Sequence, residues 1–258
     1  MACNSEQVLK EAERQLKDKY ERIDDIAFKN QKKVLNAFTE FRVSENCFHG
    51  TTGYGYDDVG RETIAKIYAK VFGGEKAIVS PLFCCGTHAI TTVLYGLLRR
   101  DDVMLSVTGL PYDTIQDTLF GKGNSSLEDY GVIYKQIDLK ENSDFDYDEI
   151  YKQVKQLKPK MVYLQRSRGY SSRKALSPYL MKGLFEKIKE ISPESFIVVD
   201  NCYGEFVDEI EPTDVGADII MGSLIKNPGG GLAPTGGYIV GKEKAIDMIA
   251  TRFTNQSL

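Results

Sequence analysis

Apolar residues follow two alternating patterns along this chain of 258 residues. Short apolar runs rich in β-branched residues predict buried strands at 77–80, 103–107, 132–137, 161–165 and 196–200. Apolar positions with helical spacing between these runs predict helices that start near Thr87, Tyr112, Tyr147 and Pro178. Strands and helices that alternate in this way predict an α/β fold whose largely parallel sheet is joined by right-handed crossovers.

The N-terminal part of the chain lacks such strands. Apolar positions at 8–16 and again at 26–38 predict two helices between residues 5 and 41. A glycine-rich stretch from Gly50 to Gly60 separates them from another helix, predicted at 62–72. We therefore divide the chain into an N-terminal helical arm, residues 1–50, and an α/β domain, residues 51–258.

Composition and charge narrow the classes of function. The net charge of −4 offers no basic surface for nucleic acid. No run of about 20 apolar residues predicts a membrane span, and the polar N-terminus lacks the apolar core of a secretion signal. The odd number of cysteines, five, argues for reduced thiols in a cytoplasm. The two histidines, His49 and His88, do not form the spaced ligand pairs of a zinc site, so no metal is expected.

The stretch from Phe196 to Gly231 carries the most specific chemistry. A predicted strand ends in Asp200, and Lys226 follows in a glycine-rich loop, three residues after Ser223. A pyridoxal phosphate (PLP) site needs a lysine that forms a Schiff base and a carboxylate partner for the pyridinium nitrogen. The Ser223 hydroxyl and the Gly222 N–H could bind the phosphate. Asp200 alone would be interpreted as a helix cap and Lys226 alone as a solvated surface lysine, but the combination favours a cofactor site.

A second candidate lies where the strand at 77–80 leads into a helix. Gly86 and Thr87 open that helix, and the first N–H groups of a helix attract phosphate through their unpaired donors and the helix dipole. The alternative is an ordinary helix cap, and these residues alone do not separate the two interpretations. The neighbouring Cys84 and Cys85 are predicted to be small packing residues rather than nucleophiles.

Several strings resemble one family when taken in order: TGYGYDDVGRET, GTHAI, QRSRGYSSR, DNCYGEFV and KNPGGGLAPTGGYIVG. They are similar to the methionine γ-lyase-like or aluminium-resistance family, in the Cys/Met-metabolism group of fold-type-I PLP enzymes. The likeness extends from about Phe28 onward. It implies the large domain of a fold-type-I enzyme, with helices on both faces of the sheet and PLP as cofactor. In such an enzyme Lys226 would carry PLP, and Asp200 would bind its ring nitrogen. Gly86, Thr87 and Ser223 would bind its phosphate.

The resemblance also implies aromatic residues at the cofactor. Tyr112 matches the position of a tyrosine that stacks on the ring, although His88 competes for this role. Tyr54 or Tyr56 could replace a tyrosine that reaches the phosphate of the neighbouring subunit, or both could belong to a surface loop.

Two arginines mark a departure from the wider group. Arg166 and Arg168 stand in a segment that elsewhere holds an asparagine in contact with the cofactor. At a strand end they could bind a phosphate or carboxylate in bidentate fashion, or pair with acidic neighbours.

By resemblance, the expected activity is that of a carbon–sulfur lyase of the cystathionine β-lyase or methionine γ-lyase kind. Lys226 would remove the Cα proton of a sulfur-containing amino acid, and a thiol would leave from Cβ or Cγ. In fold-type-I enzymes the active site forms at the interface of a dimer, so the resemblance implies a homodimer or homotetramer. The expected partner is a small amino-acid substrate rather than nucleic acid or a membrane.

The chain is shorter than the enzymes that it resembles, and we expect the C-terminal small domain to be missing. One alternative is therefore an inert PLP-binding fragment, because the family's carboxylate-clamping arginine lies in that domain. Another is a PLP enzyme of a different reaction type, an aldolase or transaminase, which product analysis would distinguish. The aluminium label would also fit a binding protein, but no carboxylate cluster in the sequence resembles a metal trap.

Overall fold

The computed structural model describes residues 5–50 and 58–253. The helices in these ranges are α1 (Ser5–Glu40), α2 (Val59–Val71), α3 (Gly86–Leu97), α4 (Asp113–Leu119), α5 (Tyr147–Leu157), α6 (Pro178–Ile191) and α7 (Glu243–Phe253). The strands are β1 (Lys76–Ser80), β2 (Val103–Ser106), β3 (Ile133–Gln136), β4 (Met161–Gln165), β5 (Phe196–Asp200), β6 (Ile219–Ser223) and β7 (Gly237–Gly241).

These strands form one sheet in the order β1-β7-β6-β5-β4-β2-β3. Strands β6, β5, β4, β2 and β3 run parallel, whereas β7 is antiparallel to both β1 and β6. The reversal arises because no helix crosses over between β6 and β7, and two strands joined without a crossover pair antiparallel. The predicted α/β fold with a mostly parallel sheet is confirmed.

Helices cover both faces of the sheet because its central strands are apolar on both sides. All five residues of β4 and of β6 are buried, as expected for parallel strands between two helical layers. On one face α2, α5 and α6 pack against side chains such as Val199. On the other face α3, α4 and α7 pack against side chains such as Val198.

The N-terminal segment differs from the prediction of two helices. It forms one continuous helix, α1, of 36 residues. Its polar middle contains neither glycine nor proline, and ion pairs one turn apart, such as Lys17–Glu21, continue through it. The gap between the two apolar stretches is therefore a solvated helix face rather than a break. Among the helices of the described ranges, none is both long and apolar enough to span a membrane.

Candidate functional site

The carboxyl ends of three parallel strands meet at one edge of the sheet. Gln165 ends β4, Asp200 ends β5 and Ser223 ends β6, and Gln165 pairs with Asp200 in the register. Asp200 points to the face covered by α3 and α4, because Val198, two residues earlier, packs into that core. Ligands of open α/β sheets bind outside these strand ends.

A pocket of about 80 Å³ opens at this edge. Side chains from separate parts of the chain line it: Thr87, Tyr112, Asp200, Cys202, Tyr203 and Lys226. The structure thus brings together the lysine, the carboxylate and two further residues that the sequence had proposed for the site.

Lys226 is half-buried and held by an aromatic ring. Its Nζ lies 4.1 Å from the centroid of the Tyr203 ring, within the range of a cation–π interaction. Burial lowers the pKa of Lys226, but Cys202, Tyr203 and Asp200 raise it by more, so the net shift is upward. Tyr203 has a left-handed backbone with φ of 65°, which is costly for a residue with a side chain. The loop after β5 accepts this strain and thereby presents the ring to Lys226.

Asp200 is only 4% exposed. Burial raises the pKa of Asp200, while the Cys202 N–H, which donates to Oδ1 at 3.1 Å, and the nearby Lys226 oppose the shift. The buried hydroxyl of Tyr163 interacts electrostatically with Asp200 but has no well-formed hydrogen-bond partner in the described residues. A cationic N–H group placed beside Asp200 would therefore be stabilised by a buried carboxylate.

The start of α3 lies against the end of β6. A Cβ added to Gly86 would lie 3.1 Å from the Ser223 Cβ and 3.2 Å from the Cys202 Sγ, so a larger residue would push these neighbours apart. Cys85 caps the helix without a side-chain hydrogen bond, which leaves its first N–H groups open to an anion. Next to them, the Thr87 and Thr114 hydroxyls are hydrogen-bonded at 2.9 Å. These donors, with Asp200 and Lys226, fit three of the polar groups of PLP: the phosphate, the ring nitrogen and the aldehyde.

Of the two candidates for the aromatic wall, Tyr112 lines the pocket and His88 does not. The Tyr112 N–H donates to the Gln165 Oε1 at 2.7 Å, which ties the start of α4 to the end of β4. The His88 Nδ1 instead accepts the Cys84 N–H at 3.3 Å, and its ring packs edge-on against Phe83. His88 is thus held by local partners.

The predicted role of Arg166 as a ligand requires a correction. Arg166 was a candidate for binding a phosphate or carboxylate, but it is 2% exposed and lines neither cavity at this edge. Its guanidinium donates to the Leu176 carbonyl, the Asn201 Oδ1, the Glu211 Oε2 and the Asp208 Oδ2. The reason is strand alternation: Arg166 follows Gln165 and points to the opposite face. Arg166 is a structural residue in a buried ion-pair network.

Arg168 differs from Arg166 in being exposed. It lines a groove of about 530 Å³ that adjoins the pocket and shares Tyr112 and Gly169 with it. Its role as a ligand for an anion stays a prediction. Tyr54 and Tyr56 lie outside the described residues.

Sequence reasoning missed Cys202, Tyr203, Gln165 and Glu205. Cys202 and Tyr203 lie two and three residues after Asp200, so the strand-end argument that found Asp200 would have reached them if it had included the following loop. Gln165 was available from its position at the end of a predicted strand. Glu205 had no local signal, because its environment comes from distant segments.

Glu205 is a buried acid on the opposite face from Asp200. It is 1% exposed, its Oε1 accepts the Tyr238 hydroxyl at 2.8 Å, and its Oε2 has no partner in the described ranges. Its backbone carbonyl accepts the Asn227 side chain at 3.0 Å, one residue after Lys226. Burial raises the pKa of Glu205 to about 8.

This shift predicts a specific pH dependence of stability. Between the usual glutamate pKa of 4.5 and about 8, the folded chain holds a proton that the unfolded chain releases. The free energy of unfolding should therefore fall as the pH rises through this range, by up to about 1.4 kcal/mol per pH unit. Glu205→Gln should flatten the slope, and exposed Glu186→Gln should not. Urea unfolding between pH 5 and pH 9 measures this, and equal slopes in wild type and Glu205→Gln would contradict it.

Comparisons with known proteins were consistent across sequence and structure. The family model for Methionine gamma-lyase matches residues 5–258. The uncharacterized protein YnbB of Bacillus subtilis (strain 168) is 44% identical over 242 residues, which cover 93% of this chain and 57% of YnbB.

Solved structures have the same fold. A Listeria monocytogenes protein, provisionally named a cystathionine beta-lyase involved in aluminum resistance, is 48% identical with a TM-score of 0.94, over 98% of this chain and 62% of that protein. A carbon-sulfur lyase involved in aluminum resistance from Clostridium novyi NT is 45% identical with a TM-score of 0.92, over 97% and 61%. The pyridoxal-5'-phosphate dependent protein YhfS of Escherichia coli shares only the fold, at 17% identity and a TM-score of 0.68, over 89% and 59%. The chain thus spans less than two thirds of the length of these relatives.

Proposed function

Because the chain belongs to the Methionine gamma-lyase family, we propose that it is the cofactor-binding part of a PLP-dependent carbon–sulfur lyase. The substrate would be a sulfur-containing amino acid, and the reaction would remove the Cα proton and then eliminate a thiol from Cβ or Cγ. The observation that carries this proposal is that Lys226, Asp200 and Tyr112 line one pocket at the strand ends. The names of the Listeria and Clostridium relatives support the reaction class.

The residues of the pocket would have separate roles in cofactor binding and catalysis. Lys226 would hold PLP through its Nζ and would later take the Cα proton as a base. Asp200 would keep a proton on the ring nitrogen, because a buried carboxylate favours an adjacent positive charge. The first N–H groups of α3 and the Ser223 hydroxyl would bind the phosphate. When bound, PLP supplies a ring that stabilises the negative charge left on Cα.

The proposal includes a homodimer or homotetramer. Apolar side chains on α1 are exposed in the single chain, Phe28, Leu35 and Phe38 among them. Such a surface is typical of a protein–protein contact.

Borohydride reduction tests the cofactor assignment. The purified chain is incubated with PLP, reduced, digested and analysed by peptide mass spectrometry. We expect a phosphopyridoxyl group on Lys226 and none in Lys226→Arg, whereas Lys242→Arg, a surface variant in an ion pair with Glu75, should label normally. Labelling spread over surface lysines would contradict the proposal that Lys226 binds PLP.

The same preparation separates the lyase from the alternatives. Incubated with a sulfur-containing amino acid, a lyase releases a thiol, a keto acid and ammonia, whereas a transaminase leaves the carbon–sulfur bond intact. A labelled chain that converts the amino acid to no product at all would favour the inert-fragment alternative.

A further inference from the structure

Two tyrosines meet at the border between the Lys226 pocket and the larger groove. The Tyr112 hydroxyl donates to the Tyr170 hydroxyl at 3.0 Å, and the ring centroids are 5.5 Å apart. Tyr112 lines both cavities, whereas Tyr170 lines only the groove. Tyr170 is 88% exposed, so its ring is not held there by burial in the core.

The loop that carries Tyr170 is built against Tyr112. Gly169 has a left-handed φ of 59°, and a Cβ at this position would lie 3.3 Å from the Gln165 Nε2 and 3.6 Å from the Tyr112 Cδ2. Gln165 uses both ends of its amide: its Oε1 accepts the Tyr112 N–H, and its Nε2 donates to the Ser167 carbonyl at 3.2 Å. One buried glutamine therefore fixes both the backbone of Tyr112 and the loop that brings Tyr170 to it.

We propose that Tyr170 is a positioning residue for Tyr112. The Tyr170 hydroxyl accepts the hydrogen bond of the Tyr112 phenol and so holds that phenol, as a neutral donor, at the mouth of the Lys226 pocket. The role of this contact in catalysis rests on the proposed function, whereas the hydrogen bond between the two tyrosines does not depend on it.

The charges around Tyr112 agree with a neutral phenol. The hydrogen bond to Tyr170, followed by burial and by the nearby Asp113 and Tyr203, raises the pKa of Tyr112 to about 12. The charged residues on the walls of the two cavities are Lys226 and Asp200 in the pocket and, in the groove, three cations and three acids: Lys140, Arg168, Arg173, Asp113, Asp138 and Glu141.

A phenolate at this position would add negative charge to a pocket that already holds Asp200. It would repel the phosphate of PLP and the carboxylate of an amino acid, both of which are anionic. In alkaline solution, where a tyrosine of ordinary pKa begins to ionise, the hydrogen bond to Tyr170 keeps the proton on Tyr112 and so preserves the pocket's attraction for these groups.

Nitration measures the phenolate directly, because tetranitromethane reacts with the ionised form of tyrosine. The chain without cofactor is nitrated at pH 7, 8 and 9, and modification of the Tyr112 peptide is followed by mass spectrometry. Tyr170→Phe keeps the ring but removes the acceptor hydroxyl, so access to Tyr112 is preserved. Tyr179→Phe, which removes an exposed hydroxyl on α6, is the matched control.

In Tyr170→Phe, the pKa of Tyr112 should move from about 12 toward the ordinary value of about 10. We expect the nitration rate of Tyr112 at pH 8 to rise about tenfold or more and to show a shifted pH profile, with no change in Tyr179→Phe. Equal rates in wild type and Tyr170→Phe would overturn the inference.

Parallel borohydride labelling separates this inference from the proposed function. If Lys226 is labelled but the nitration of Tyr112 does not change, only the role of Tyr170 fails. If the nitration rate rises but Lys226 is not labelled, the contact stands and the proposed function fails.

Discussion

Replacing Arg166 with methionine should lower the free energy of unfolding by about 3–5 kcal/mol. Methionine fills a similar volume but cannot replace the four hydrogen-bond partners of the guanidinium. Glu211 is completely buried, and its pKa is raised by burial while Arg166 lowers it. Removing Arg166 therefore leaves a buried carboxylate without its counter-charge, which is the main source of the expected loss.

Urea unfolding at neutral pH measures this effect. The control is Arg14→Met, which breaks an exposed pair with Glu11 on α1 and should change stability by less than about 1 kcal/mol. Adding Glu211→Gln to Arg166→Met should recover part of the loss, because it removes the unpaired charge. A loss below about 1 kcal/mol in Arg166→Met would show that the network does not stabilise the fold, and Arg166 would return as a candidate ligand.

The second large effect concerns Asp200→Asn. Asparagine has the same shape and can still accept the Cys202 N–H, so we expect the fold to be preserved. It carries no charge, however, and would not keep a proton on the cofactor's ring nitrogen. In the PLP-loaded chain, exchange of the substrate Cα proton with deuterated water should slow by about 100-fold or more.

Proton NMR of the amino acid follows this exchange independently of thiol release. Asp117→Asn, an exposed carboxylate on α4, makes the same chemical change away from the pocket and should exchange at the wild-type rate. Borohydride labelling of Lys226 should persist in both variants, which separates cofactor binding from proton removal. An exchange rate in Asp200→Asn within about threefold of wild type would exclude the role that we assign to Asp200.

The strands and most helices were predictable because their signals are local. Strands β4 and β5 have the predicted bounds, and helix α6 begins at the predicted Pro178, since each is a dense apolar segment between polar or turn-forming residues. The N-terminal helix was predicted as two because apolar spacing reports burial rather than helix continuity. Where a helix is exposed to solvent, as α1 is between its two apolar stretches, the hydrophobic pattern is interrupted although the helix continues.

In the site, sequence position identified strand ends but not the direction of side chains. Asp200 lines the pocket, and Gln165, its partner in the register, lines the adjoining groove, whereas Arg166 points to the other face. Successive side chains of a strand point to opposite faces of the sheet. Once Asp200 was assigned to the face of the site, this alternation would have placed Gln165 on the same face and Arg166 on the other. Tyr170 was beyond such reasoning, because its contact with Tyr112 depends on a left-handed turn at Gly169 in a long loop.

The left-handed backbone of Tyr203 places stability and function in conflict at one position. Glycine or asparagine would adopt this backbone more readily, and so would strengthen the fold. Either would also remove the ring that lies over Lys226. Laboratory evolution for heat tolerance alone would thus drift away from tyrosine at position 203, whereas selection for cofactor retention would keep it. The residue found there in an evolved population would record which property had been selected.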